Sequence, residues 1–232
     1  MKTKTPSYQR HRFRSEIISH AVWLCHRFCL SFREVEEHLA ERGITIMYES
    51  IRQWWQEFGP DFARKLKKQQ GPLGDTWHID EVFIMVQGQR QYLWRAVDQD
   101  GDVIDILVQH RRNQRAAERF FRLLIKGQRR EPRWLVTDKL RSYDAAHHTI
   151  MPTVNHINHI YANNRAEVSH EPARQRERAM RGFKATPQAQ RFLTLHGMTQ
   201  NLFRVGRHIL QAVNYRLLRV QAFQVWRDVP CA

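Results

Sequence analysis

Apolar side chains recur three and four residues apart over the first quarter of the chain. Ile17, Ile18, Ala21, Leu24, Cys25 and Phe28 form one such stripe, the spacing of a helix with one buried face. Ser31-Phe32-Arg33-Glu34 has the form of a capping box, in which Ser31 and Glu34 satisfy each other's orphan amides. The helix it opens turns Val35 and Leu39 inward and stops near Gly43, because glycine suits the left-handed residue that closes a helix. After Ile44-Thr45-Ile46, a third helix carries Ile51, Trp54, Trp55 and Phe58, and Gly59-Pro60 is expected to end it. Two short helices joined by a tight glycine-containing turn are the pattern of a helix-turn-helix. The third helix then buries Ile51, Trp55 and Phe58 and turns Glu49, Ser50, Arg52, Gln53 and Gln56 outward. Arg52, Gln53 and Gln56 are its candidate DNA contacts. A plain three-helix bundle with a solvated polar face has the same pattern.

Residues 64–75 are basic, then punctuated by Gly and Pro, with little apolar content, as in a linker. Beyond them the period changes from helical to alternating. Strands are predicted over 76–86, 91–97 and 103–108, separated by turns at Gln87-Gly88-Gln89 and Asp98-Gln99-Asp100-Gly101-Asp102. Asn113 can cap a helix that carries Ala117, Phe120, Phe121, Leu124 and Ile125 on one face. Residues 133–137 read as a short strand buried on both faces. Three antiparallel strands, a helix, a central strand and more helix is the opening order of a ribonuclease-H-like α/β fold. Helical spacing returns after Gly182, with Phe192, Leu195, Met198, Leu202 and Phe203. It continues through Leu210, Val213, Leu217 and Val220, a packing or oligomerisation helix. The expected organisation is a helical DNA-binding domain over 1–63, a linker over 64–75, a catalytic domain over 76–203 and a helical segment over 204–232.

Composition narrows the partners. The 232 residues carry 38 Lys and Arg against 23 Asp and Glu, a formal net charge of +15. Such an excess favours a polyanionic partner, most simply double-stranded DNA. No basic amphipathic helix stands apart to argue for a membrane surface, and no apolar run approaches the roughly 18 residues of a membrane span. The three cysteines, Cys25, Cys29 and Cys231, form no framework, as expected in a reducing compartment. Cys25 and Cys29, lacking a second pair, read as helix core rather than as a zinc site. The basic N-terminus has no apolar core of a secretory signal, and a cytoplasmic, nucleoid-associated protein is expected.

Three acids stand in contexts that suggest chemistry. Asp80 lies in Trp77-His78-Ile79-Asp80-Glu81, Asp138 closes Trp134-Leu135-Val136-Thr137, and Glu167 ends Asn163-Asn164-Arg165-Ala166. Two-metal phosphoryl transfer needs carboxylates that hold two Mg²⁺ ions roughly 4 Å apart, and hard, hydrated Mg²⁺ prefers such oxygens. Asp80 on a first strand and Asp138 at the end of a neighbouring one fit that layout. Glu81 points to the opposite face of its strand and reads as structural. Asp138 also has a simpler reading, as the cap of a following helix. Asp98, Asp100 and Asp102 lack the glycine and glutamate positions of a calcium loop and read as a hairpin turn.

These segments resemble the DDE transposases of bacterial insertion sequences, specifically the insertion-sequence-six family. The resemblance is carried by Trp77-His78-Ile79-Asp80-Glu81, Gln91-Tyr92-Leu93-Trp94-Arg95-Ala96-Val97-Asp98 and Val136-Thr137-Asp138-Lys139. It continues through Asn163-Asn164-Arg165-Ala166-Glu167-Val168-Ser169-His170 and Arg176-Glu177-Arg178-Ala179-Met180-Arg181-Gly182-Phe183-Lys184. The resemblance implies a ribonuclease-H-like domain in which Asp80, Asp138 and Glu167 are the catalytic, metal-binding triad. It implies Mg²⁺, two ions, with Mn²⁺ able to substitute. It also implies recognition of terminal inverted repeats, strand transfer by a replicative route through cointegrates, and a homo-oligomer on DNA. Here 28 residues lie between Asp138 and Glu167, fewer than is usual in the family. Pro172 follows five residues after Glu167 and suits the first position of a new helix. Lys139, Arg174, Arg178 and Arg181 surround the acids in sequence and are the candidate phosphate contacts. Two other readings share these features: a hydrolytic nuclease without strand transfer, and a DNA-binding regulator.

Overall fold

The computed structural model describes residues 8, 11–28, 30–158, 163–180, 182–204 and 210–230. Cys29, His159, Arg181 and Cys231 lie outside these residues. Two compact units divide the chain: Met1–Gln70 with Thr194–Ala232, and Gly71–Leu193.

The helical unit holds α1 (Ser15–Arg27), α2 (Phe32–Ala40) and α3 (Tyr48–Gln69). It also holds the later residues of α8 (Thr186–Phe203), and α9 (Ala212–Asp228). The capping box forms: the Ser31 hydroxyl accepts from Glu34 N at 3.2 Å and the Glu34 carboxylate from Ser31 N at 2.5 Å. Gly43 takes φ +73° at the turn between α2 and α3.

One expectation fails here. Pro60 does not end the third helix, which continues to Gln69 and takes in half of the expected linker. Proline inside a helix costs ~3 kcal/mol. Against that, Phe58, Phe62, Ala63 and Leu66 are all buried along the continuing helix, and each large apolar side chain contributes ~1.5–3 kcal/mol on burial. Tertiary packing outweighs the local signal. The last helix supplies part of that packing. Trp226 stands edge-on to Phe62 with ring centroids 5.8 Å apart, and its indole N–H donates to Ser19 O at 3.2 Å.

The second unit is built on a five-stranded sheet. Its strands are β1 (Thr76–Val86), β2 (Gln89–Asp98), β3 (Val103–Gln109), β4 (Trp134–Thr137) and β5 (Asn155–Asn158), in the order β3-β2-β1-β4-β5. The first three pair antiparallel, and β1/β4 and β4/β5 pair parallel. This mixed sheet, with helices inserted between its parallel strands, is the ribonuclease-H-like topology. The β1–β2 turn places Gln87 and Gly88 both at positive φ, the backbone that matches the strands' twist. Asp98 Oδ1 accepts from the amides of Asp100 and Asp102 at 3.0 and 2.9 Å, so the alternating aspartates do close a hairpin.

Helices α4 (Gln114–Gln128) and α5 (Arg141–Ile150) cover one face of the sheet. There Trp77, Ile79 and Trp94 pack with Phe120, Phe121, Leu124 and Tyr143. Asn113 caps α4 through Ala116 N at 3.0 Å. The short α6 (Asn164–Ser169) and α7 (Glu171–Ala179) follow β5. Pro172 stands in the first turn of α7, where its missing N–H costs nothing. Among the described residues, no helix is long and apolar enough to cross a membrane.

Candidate active site

The site begins where β1 and β4 part. Their parallel pairing covers only Thr76–His78 of β1, so the strands diverge as Asp80 is reached and as β4 ends at Thr137. Asp80 is held on one side by its position in the middle of a strand paired to β2, opposite Arg95. Its residue exposure is 9 %. His170, fully buried at the end of α6, places Nε2 3.4 Å from Asp80 Oδ2. Burial lowers the pKa of His170, and the neighbouring Asp80 carboxylate works against that.

Asp138 follows β4 directly. Its Oδ1 accepts from Leu140 N at 3.1 Å, a turn contact made before α5 begins; the N-cap of that helix is Leu140, without a side-chain bond, so Asp138 does not cap it. Its carboxyl is pushed above the usual range, chiefly by burial and further by the Asp80 charge. A half-buried carboxyl with a second carboxylate close enough to act on it makes a hard-oxygen donor pair. That chemistry fits a divalent cation held by Asp80 and Asp138.

Glu167 is placed differently. It lies on the exposed side of α6. That helix is pinned to the sheet through Asn163, whose Nδ2 donates to Ile79 O at 2.8 Å, and through the buried Ala166. Among the described residues, no three His, Cys, Asp or Glu side chains stand close enough together to hold a metal. The first two acids of the predicted triad are thus neighbours, and the third is not drawn into a cluster with them.

Glu81 points to the opposite face, as strand alternation requires. Its side chain is 1 % exposed. The buried Tyr143 hydroxyl donates to it, and Arg112 forms an ion pair with it. Arg112 also reaches towards Asp138, with Nη2 3.9 Å from Oδ2. Burial lifts the Glu81 carboxyl to about 7, while Tyr143 and Arg112 pull the other way. Arg112 and Tyr143 were not among the expected site residues. Arg112 sits in a short polar loop after β3, where sequence carries no periodic signal. Tyr143 stands five residues after Asp138, and only its burial against Trp94 and Phe121 distinguishes it.

The expected DNA contacts fall in three places. Gln53 and Gln56 are exposed on α3, while Arg52 is half-buried and paired with Glu49 of the same helix. Lys139 follows Asp138 directly. Arg174 and Arg178 lie on α7, where Arg178 is 3.6 Å from Glu171.

With this geometry in hand, the comparisons with known proteins are specific. Residues 74–206 match the family of IS240-type transposases described as a DDE domain. The chain is 31 % identical over 170 residues to the transposase for insertion sequence-like element IS431mec of Staphylococcus aureus, covering 71 % of this chain and 75 % of that protein. The transposase for insertion sequence element IS257 in transposon Tn4003, also from Staphylococcus aureus, matches at the same identity and coverage. Among solved structures, the catalytic domain of Mos1 mariner transposase aligns with a TM-score of 0.38 and 14 % identity, over 75 % of this chain and 90 % of that one. The family match and the curated relatives define a DDE-type transposase domain. The chain belongs to the insertion-sequence-six family of DDE transposases.

Proposed function

We propose that this protein binds the terminal inverted repeats of its own insertion sequence, cleaves DNA at the element ends and joins them to target DNA. The observation that carries this reading is the placement of Asp80 and Asp138 just past the last paired residues of the neighbouring strands β1 and β4. Asp80 and Asp138 would hold Mg²⁺, with Mn²⁺ as a substitute, and Glu167 would complete the set. The bound ions supply Lewis-acid stabilisation of charge on the reacting phosphate.

The chain's own groups prepare that site. His170 and the β1–β2 pairing orient Asp80, and Leu140 N orients Asp138. Arg112 ties the buried Glu81 to the Asp138 side of the site. Lys139, Arg174, Arg178 and Arg181 offset phosphate charge of the bound DNA, and Arg52, Gln53 and Gln56 of α3 read the element ends. Arg52 must exchange Glu49 for DNA to do so. The protein acts as a homo-oligomer on DNA, in the bacterial cytoplasm, by a replicative route that yields cointegrates.

A strand-transfer assay with labelled element ends and Mg²⁺ tests the reading. Joined product is expected. Cut-only product would instead identify a hydrolytic nuclease, and binding without chemistry a DNA-binding regulator.

A further inference from the structure

Past Asp80, β1 loses its β4 neighbour, and another partner takes over the strand's free edge. Glu177 on α7 accepts Met85 N at 2.6 Å. Phe183 N donates to Met85 O at 3.0 Å, and Gln87 N donates to Phe183 O at 2.8 Å. Gly182 makes this approach possible. It takes φ +86°, and a Cβ there would stand 3.3 Å from Met85 O. Between the strand and α7 these contacts leave a cleft of about 510 Å³, lined by Phe83, Met85, Arg174, Glu177, Arg178 and Gly182.

The lining is unusual for a protein surface. Phe83 is 55 % exposed and Met85 38 %, although large apolar groups at a cleft are normally covered. Arg174 and Arg178 line the same cleft as the ring, and the Arg90 guanidinium lies over one face of the ring, 4.8 Å from its centroid. The one acid present, Glu177, is committed to the Met85 amide. A half-exposed aromatic ring among arginines, in a chain of net charge +15, matches a nucleotide with its base unpaired, the base taking the ring face that Arg90 does not cover. The base stacks on the ring and the phosphates meet the guanidinium groups. Phe83 lies three residues beyond Asp80 on the same strand, roughly 10 Å along it and, by strand alternation, on the face opposite to Asp80.

We infer that Phe83 is a stacking platform for an unpaired base of the bound DNA, with Arg174 and Arg178 holding the adjoining phosphates. This rests on the transposase reading and deepens it. Phe83 is exposed, so replacing it should leave the fold intact, which a thermal melt checks.

The test uses the full chain, EDTA to prevent chemistry, and two DNA probes. One is a blunt duplex of an element end, and the other is the same duplex with a short single-stranded overhang carrying 2-aminopurine. The wild type is expected to prefer the overhang about tenfold. Phe83→Ala should lose that preference while still binding the blunt duplex, and Phe83→Trp should keep it and quench the 2-aminopurine fluorescence. An overhang preference that survives in Phe83→Ala, or that is absent in the wild type, overturns the stacking role and leaves the DNA reading standing. Failure of the wild type to bind either probe removes the DNA reading itself, and the stacking role with it. A self-association lost in Phe83→Ala, with DNA discrimination unchanged, would make the cleft a contact between copies and also overturn the proposal.

Discussion

Two of the candidate acids belong to the sheet and one belongs to a helix of six residues, and the contrast is physical. Asp80 is fixed by strand pairing to β2 and by His170. Asp138 is fixed by β4 and by Leu140 N. Both positions follow from hydrogen bonds that the sheet makes regardless of ligand. Glu167 sits on α6, too short to be stable alone and held to the sheet by the Asn163 side chain and the buried Ala166. Acids carried by a sheet are pre-positioned, while an acid on a short helix depends on what docks that helix.

The largest effect should come from the sheet acids. Asp80→Asn and Asp138→Asn are each expected to lower strand transfer on the order of 10³-fold, as does removal of a key electrostatic group at other phosphoryl and acyl centres. The melting temperature of Asp138→Asn should hold or rise, because the substitution relieves the repulsion with Asp80. A variant that melts much earlier would mean that these acids serve the fold.

Glu167→Gln separates the two kinds of acid. If α6 brings Glu167 to the reacting phosphate, strand transfer falls about as far as for Asp80→Asn, with no change in stability. Intact strand transfer would remove Glu167 from the triad.

Asn163→Ala sharpens the comparison further. Losing the bond to Ile79 O should cost ~1–3 kcal/mol of stability, since a buried carbonyl is left unpaired. Activity should fall about 10–100-fold, the cost of losing an orienting contact. The same variant should leave metal-free DNA binding unchanged in a filter or anisotropy assay. An equal loss of binding and activity would assign Asn163 to DNA contact instead.

The smallest expected effect is a slope. Burial lifts the Glu81 carboxyl from 4.5 to about 7, so the folded chain binds more protons than the unfolded one between those values. Stability is therefore expected to fall as pH rises from about 4.5 to 7. Thermal melts of the metal-free wild type should show this decline, and Glu81→Gln should flatten it. Equal slopes in both proteins would point to another group.

Much of this was legible in the residues. The Ser31–Glu34 box, the Asn113 cap, the β1–β2 turn and the first three strands follow from local chemistry, because each needs only neighbours in sequence. The family was legible because its motifs are short and ordered. Pro60 and β5 were not. Proline is a strong local stop, yet Phe62 packs against Trp226, far along the chain. The four residues of β5, Asn-His-Ile-Asn, carry almost no strand signal and pair because β4 offers an edge.

By itself, then, the sequence determined which residues carry charge and chemistry, the period of each segment and the family they spell out, since these depend on residue type and spacing alone. Only the tertiary structure decided that Asp80 and Asp138 stand as neighbours with Arg112 and Tyr143 behind them, that Glu167 lies apart on an exposed helix face, and that Phe83 opens onto a cleft of arginines. Those outcomes depend on where strands part and which helix covers which edge, and that is settled by burial and backbone hydrogen bonding across distant segments.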